Sequence, residues 1–321
     1  MDRLLSFDDI PACSLGRVLM DTRQTLRCHA ELDSLVTRGR TQNNAFALQL
    51  AGPARCGKTS TMKQYLRYCR DGVGGRNPVK YLWAELPATT DARNITNLTL
   101  RALGDPNPSK GDAMSRLARV EEAIVRRGYG LLVFDEAHHL VDSKTQSVQE
   151  DGVQFLNMLL NRTSCPIVLI GYDTKLGVAV GRNPSLAGRM WPCAKFRPYE
   201  VADPDDMSEF RCILRELERF MALPAKSGLW DRDTAARIML VCKGRLGLLE
   251  MYLQYAWELS QRGGHSCLTR DDLRQAADTV AASSAEYASA NPFEAPSVEV
   301  AVLRDAECRT ASAAASRKTR R

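Results

Sequence analysis

Two short stretches of this sequence carry residues whose types and spacing can do chemistry. The first is Gly52-Pro53-Ala54-Arg55-Cys56-Gly57-Lys58-Thr59, followed by Ser60. It fits the pattern G-x-x-x-x-G-K-[ST], in which glycines let successive backbone N–H groups turn inward on phosphate oxygens. Lys58 can reach the β- and γ-phosphates, and the Thr59 hydroxyl can ligate Mg2+. Ser60 opens a helix whose positive end is aimed at the same anion. The second stretch is Leu131-Leu132-Val133-Phe134-Asp135-Glu136, an apolar run that ends in two acids. At the end of a strand, Asp135 is placed to hold Mg2+ through its water shell. Glu136 is placed to orient and polarise the water that attacks the γ-phosphorus. The chemistry to which these residues point is the binding of a nucleotide's phosphates with Mg2+ and the activation of a water against the γ-phosphorus.

Three further positions carry weaker signals. Tyr172-Asp173-Thr174 follows an apolar strand, and a polar residue there can touch the attacking water; Asp173 is the choice among the three. Arg189, with Arg182 second, precedes the last strand, where an arginine can reach the γ-phosphate of a neighbouring copy and stabilise developing charge. Arg245, in Gly244-Arg245-Leu246-Gly247, could lean onto the phosphates from a helix start. His138 and His139 follow the acids directly. The chain has only four histidines and none of the usual metal-ligand spacings, so contacts within the site or with a next subunit, or a surface position, account for them better than a metal.

The elements that must position these residues are legible as alternating strands and helices. A helical spacing over Val18–Val36 (Leu19, Leu26, Leu32, Leu35) runs into a polar loop and then a strand from Ala45 to Leu50. This leading helix is expected beside the nucleotide site. After the phosphate-loop helix come a strand at Val79–Leu86, a polar turn at Thr89–Arg93 and a helix from Ile95. Asp112–Arg127 is a helix with Leu117, Val120, Ile124 and Val125 on its apolar side. The strand that ends in Asp135-Glu136, a helix over Val153–Leu160, a strand at Cys165–Gly171 and an extended Cys193–Tyr199 follow. From Asp203 strand signals stop, and four helical patterns succeed one another: Asp206–Met221, Thr234–Val241, Leu246–Leu259 and Thr269–Val280. Asp203 and Thr269 are their clearest N-caps.

The whole chain narrows the class. Its 321 residues, 44% hydrophobic and 26% charged, suit one large or two modest soluble domains. No apolar run approaches the roughly 18 residues of a membrane span, and the first residues lack a secretory pattern. Ten scattered cysteines without a C-x-x-C pair indicate a reduced, cytoplasmic chain. A net charge of +6 is compatible with a nucleic-acid partner.

The loop GPARCGKTS, the phrase LLVFDEAHHL, and PIVLIGYDTKL with its downstream AGRMWP resemble the AAA+ transposition helper ATPases of the TniB/TnsC family, relatives of the phage Mu B protein. The resemblance spans about residues 20 to 280. It implies an α/β AAA+ parallel-sheet P-loop NTPase core with a C-terminal helical lid domain. The boundaries read from the sequence are an N-terminal segment and leading helix to residue 40, the nucleotide-binding domain over 41–202, the lid over 203–282, and a basic tail without fixed structure over 283–321. It also implies ATP-driven homo-oligomers, rings or filaments, on double-stranded DNA, and recruitment or activation of a transposase, in some cases with a target-selection protein. Arg93 and Lys144 are the loop cations offered for DNA, meeting phosphates with little sequence preference, against the alternative of ordinary solvated cations. The departure from the family pattern is Arg55-Cys56, where small residues are common; it puts the hydrolysis rate in question. The competing expectation is an AAA+ ATPase that assists protein-complex assembly or secretion without DNA, which the lack of a membrane span or wall-binding domain disfavours. A nucleotide-gated signalling switch would need an effector domain for which this length leaves no room.

Overall fold

Apolar runs buried at every residue are the mark of strands covered on both faces, as in a parallel sheet flanked by helices. Three strands here have that pattern: β1 (Ala47–Ala51), β3 (Leu131–Asp135) and β4 (Ile167–Gly171). β2 (Tyr81–Glu85) alternates, and β5 (Ala194–Lys195) is a two-residue strand. The computed structural model describes residues 15, 20–42, 45–88, 91–141, 146–181, 183–283 and 290–307. They belong to two units, Asp21–Phe196, and Arg197–Arg321 with the residues up to Met20.

In the first unit the five strands are all parallel, in the order β2-β3-β4-β1-β5. β4 therefore stands between β1 and β3, so the C-terminal ends of these three strands lie side by side. The register sets Ala51 beside Gly171 and Glu85 beside Asp135. Successive side chains feed opposite cores, as strand geometry requires. Leu48, Leu50, Val133, Val168 and Ile170 pack under α1 (Arg23–Gln42) and α2 (Lys58–Asp71). Leu132, Phe134, Ile167 and Leu169 pack under α3 (Ala92–Ala102), α4 (Ala113–Arg126) and α5 (Gln146–Thr163). Two short helices, α6 (Asp173–Gly181) and α7 (Pro184–Ala187), lead from β4 towards β5.

Several boundaries differ from the sequence reading. Helix α1 starts and ends later than expected. The Thr22 hydroxyl accepts from the Thr25 N–H at 3.1 Å and caps it, and the helix runs on through Arg38-Gly39-Arg40. Gly39 allows a close approach, since a Cβ would stand 2.5 Å from Pro166 Cγ. Leu26 and Val125, placed on apolar faces by their spacing, are 51% and 60% exposed. Arg93 lies in the first turn of α3 and not in a loop, because the Asp91 carboxylate accepts from the Asn94 N–H at 2.6 Å and starts the helix early.

The second unit is helical: α8 (Pro204–Met221), α9 (Arg232–Val241), α10 (Leu246–Gly263) and α11 (Arg270–Ser283). Phe210, Leu214, Ile238, Leu249, Tyr252 and Leu273 are central to its core. Asp203 caps α8 by accepting from the N–H groups of Asp205 and Asp206. Thr269 and Asp272 cap α11 reciprocally, with Thr269 Oγ1 accepting from the Asp272 N–H at 3.1 Å and Asp272 Oδ2 accepting from the Thr269 N–H at 2.8 Å. Gly244, at φ 65°, leaves no room for a side chain: a Cβ would lie 1.9 Å from the Tyr199 carbonyl oxygen.

The tail expected to lack structure is in part ordered. Residues 292–294 make a helical turn and 298–307 a helix, with Phe293, Ala295 and Ala301 buried. A buried guanidinium is responsible. Arg237, 2% exposed, donates to the carbonyls of Pro292 and Ala295 while its other edge meets the Asp233 carboxylate at 2.7 Å. Arg270 adds a bond to the Phe293 carbonyl and Asn291 donates to the Arg274 carbonyl, so the partners of the tail are spread over α9 and α11, where composition does not reveal them. The basic run at 317–321, with Lys144 and Arg182, lies outside the described residues.

Candidate functional site

The site is built where β1 and β3 end. After Ala51 the chain enters the phosphate loop at Gly52, whose N–H donates to the Gly171 carbonyl at 3.3 Å. A Cβ on Gly52 would lie 2.4 Å from the Phe196 carbonyl oxygen, so only glycine fits. Gly57 sits at φ 91° as the N-cap of α2, with open space where a Cβ would point. The loop is thus pinned at its first glycine and turned by its second. Arg55 is exposed, in the left-handed region at φ 60°, while Cys56 is buried with Leu48, Leu50 and Met62 beneath the loop. The cysteine is an anchor of the loop to the core, a role that the motif leaves open to any small apolar residue.

Lys58 extends across the loop, with Nζ donating to the carbonyls of Gly52 at 3.0 Å and Pro53 at 2.7 Å. Thr59 Oγ1 donates to Asp135 Oδ2 at 3.1 Å, so two residues 76 apart in sequence meet at one point. Ser60 is exposed in the first turn of α2. Helix α1 steadies α2 from outside. His29 Nε2 lies 3.2 Å from the Thr61 carbonyl, and Gln64 and Tyr68 both donate to Asp21.

Asp135 is 8% exposed, and burial pushes its carboxyl above the ordinary range, offset by the Glu136 N–H and the Thr59 hydroxyl. Glu85, opposite it in β2, adds to the upward push and Lys63 opposes it. Glu136 is raised too, first by burial and then by the charge of Asp135. Asp135, Glu136 and Glu85 thus gather negative charge at these strand ends, which a bound cation would offset. Glu136 holds φ 52°, a strained conformation of the kind that gathers at functional sites. Its Oε2 lies 3.1 Å from Nδ1 of His138.

The structure brings Gly52 to Ser60, Asp135 and Glu136 together. Asp173 begins α6 and its carboxylate faces Lys195 Nζ at 3.4 Å, whereas Tyr172, one residue earlier, lies with its ring centre 5.7 Å from Lys58 Nζ. Arg189 is not brought to its own phosphate loop. Its carbonyl accepts from the Ala47 N–H at 2.9 Å, at the other end of β1, roughly 15 Å along the strand. Arg93 is exposed on α3. Arg245 belongs to the second unit, where its carbonyl accepts from the N–H groups of Leu248 and Leu249 at the start of α10. Glu85 is the neighbour that the motifs missed, while Tyr172 stood beside Asp173 among the residues offered for the attacking water and contacts within the site were one reading of His138. Their signal was positional: each ends or follows a strand, but strand order is needed to see that those ends are adjacent.

A parallel sheet in this order, with the phosphate loop leaving β1 and paired acids ending β3, defines a P-loop ATPase of the AAA+ class. Residues 18–197 match the family described as Bacterial TniB protein, and the chain belongs to that family. Among solved structures it is similar to Cdc6p from Pyrobaculum aerophilum (TM-score 0.63, 18% identity, covering 84% of this chain and 70% of that one). It is also similar to the Aeropyrum pernix ORC2 protein in ADPNP-ADP complexes (TM-score 0.63, 15% identity, 86% and 72% covered). The Aeropyrum pernix ORC1 protein in complex with DNA is a third (TM-score 0.62, 15% identity, 84% and 68% covered). These likenesses are of fold. A search of the curated proteins finds no match.

Proposed function

We propose that this chain is an ATP-dependent, DNA-binding regulator of transposition, which assembles as a homo-oligomer on double-stranded target DNA, hydrolyses ATP and recruits or activates a transposase. The observation that carries the reading is the 3.1 Å contact between Thr59 and Asp135 in a chain of the TniB family, which makes one site of the phosphate loop and the acids. The hydroxyl and carboxylate are hard oxygen donors that suit Mg2+, so Thr59 and Asp135 would hold it. Bound Mg2+ supplies charge neutralisation on the phosphoryl oxygens. Lys58 turns its ammonium from the loop carbonyls to the outer phosphates, and the loop N–H groups from Gly52 to Ser60 cradle the rest. Glu136 accepts a proton of the attacking water at its carboxylate.

Arg189, being remote from its own loop, serves a neighbouring copy if it serves catalysis, and Asp173 and Arg245 are proposed to touch the attacking water and to lean onto the phosphates. The net charge of +6 favours a polyanion, with Arg93 and Lys144 the proposed phosphate contacts. A cytoplasmic location agrees with the absence of any helix among the described residues that is long and apolar enough to cross a membrane. The test is electron microscopy of the purified chain with duplex DNA, with and without ATP. Particles on DNA that require ATP, are lost in Lys58→Ala and persist in Glu136→Gln are the expected result. Absence of ATP-dependent particles on DNA sinks the proposal in favour of an assembly ATPase that does not bind DNA.

A further inference from the structure

Just past Glu136 the chain makes a tight helical turn, Ala137–Val141, that carries both adjacent histidines. His138 is 5% exposed, and its Nδ1 stands 3.1 Å from Glu136 Oε2, within ion-pair distance but not aligned as a hydrogen bond. Its ring is held on two sides. His139 lies with centroids 4.3 Å apart, and Tyr172 meets it edge-on at 4.3 Å. Tyr172 follows the last residue of β4, the strand between the phosphate-loop strand and the strand of the acids. The same tyrosine ring has Lys58 Nζ 5.7 Å from its centre. The side chain of Glu136, by contrast, is 47% exposed and has three rotatable torsions.

A half-exposed glutamate samples many orientations, and an attacking water needs one of them. A buried imidazole clamped between two rings has almost no freedom of its own and can impose that orientation on its neighbour. We infer that His138 is a positioning residue for Glu136, and that Tyr172 braces it from the end of β4. The inference rests on reading Glu136 as the water-orienting acid. In this arrangement the stack from Lys58 through Tyr172 and His138 to Glu136 ties the phosphate loop to the acid that does the hydrolysis. Misplacement of a reacting group by about an ångström costs up to a hundredfold in rate, so loss of the clamp is felt in turnover rather than in nucleotide affinity.

His138→Phe separates this role from plain packing, since it keeps the ring and its volume but has no nitrogen to offer the carboxylate. In steady-state ATP hydrolysis by the full chain with Mg2+, it is expected to lower kcat by about tenfold or more, with the affinity for ATP unchanged. His138→Gln, which keeps a polar group, recovers most of the loss. Tyr172→Ala is the second variant, chosen because Tyr172 is 36% exposed and its removal leaves the core intact. It lowers kcat in the same way, and combining it with His138→Phe adds little, because the two act as one unit. A His138→Phe or Tyr172→Ala chain that turns over like the parent overturns the inference, as does loss of ATP affinity in step with kcat. Glu136→Gln run alongside separates the two readings. If it is as fast as the parent, the assignment of Glu136 itself fails; if it is inactive while His138→Phe is normal, only the positioning role fails.

Discussion

Replacing Gly52 by alanine should damage this protein by an amount that the geometry lets one work out. The added Cβ would lie 2.4 Å from the Phe196 carbonyl oxygen, 3.0 Å from Phe196 Cβ and 3.2 Å from the Phe196 carbonyl carbon. Neither side yields easily. The Phe196 N–H donates to the Ala51 carbonyl at 2.8 Å, and the Gly52 N–H to the Gly171 carbonyl at 3.3 Å. Overpacking of this kind costs about 1–3 kcal/mol, and the unusual φ of 157° adds backbone strain, about 1–3 kcal/mol for a non-glycine residue. Gly57→Ala is the internal control. Its φ of 91° brings backbone strain, but no atom lies within 4 Å of the new Cβ. Thermal or denaturant unfolding without nucleotide should therefore show Gly52→Ala less stable than Gly57→Ala by about 1–3 kcal/mol, the collision alone. Because the strand end must shift to relieve the clash, ATP binding by Gly52→Ala should weaken by at least about tenfold, or 1.4 kcal/mol. If Gly52→Ala unfolds with Gly57→Ala and binds ATP like the parent, the claim that β1 and the residue after β5 pin the loop is wrong.

Other consequences concern the second unit. Gly244→Ala should destabilise it by more than 3 kcal/mol, about the upper range for overpacking, since its Cβ would overlap the Tyr199 backbone at 1.9 Å; a native-like melting temperature would refute the contact. Arg237→Met should free residues 292–295, because two carbonyls lose their donor, at a cost of about 2 kcal/mol; faster proteolysis and hydrogen exchange after residue 290 are the readouts, and unchanged protection contradicts them. At Asp272, burial resists ionisation, but the Thr269 hydroxyl and N–H and His265 outweigh it, so the carboxyl sits below its usual range. A depressed acid contributes stability above its unfolded value near 4 and loses it as pH falls through the lower folded value. The stability gap between parent and Asp272→Asn should thus be largest near neutrality and shrink below about pH 4. A gap independent of pH would show that Asp272 acts through packing alone.

Much of the nucleotide site was legible because its residues are local in sequence. A glycine-bounded loop announces itself, and so does an apolar run that ends in Asp135-Glu136. What joins them is not local: the Thr59–Asp135 contact requires β3 to lie one strand away from β1, and no stretch of sequence states the strand order. Among Tyr172, Asp173 and Thr174 the sequence does not say which points where; in the structure the Asp173 carboxylate faces Lys195 and the Tyr172 ring lies near Lys58. For His138 a contact within the site was one of several readings, since two adjacent histidines do not show which one a tight turn folds back on the acid. In the tail, an alanine- and serine-rich composition indicated a lack of structure for residues 290–307, which are tied down by a buried arginine some 55 residues upstream in α9. The polar loop expected after Val36 is helical through Gln42 instead, and Gly39 inside it marks where Pro166 comes close.

The central claim is that a nucleoside triphosphate and its metal are held between the phosphate loop and the paired acids. Calorimetric titration of the full chain with ATP and Mg2+, for the parent and for Lys58→Ala, tests it most directly. One nucleotide per chain for the parent and binding weakened at least about a hundredfold, or 2.7 kcal/mol, in Lys58→Ala are the predicted result. No heat of binding with the parent, or equal affinity in the variant, would contradict the account.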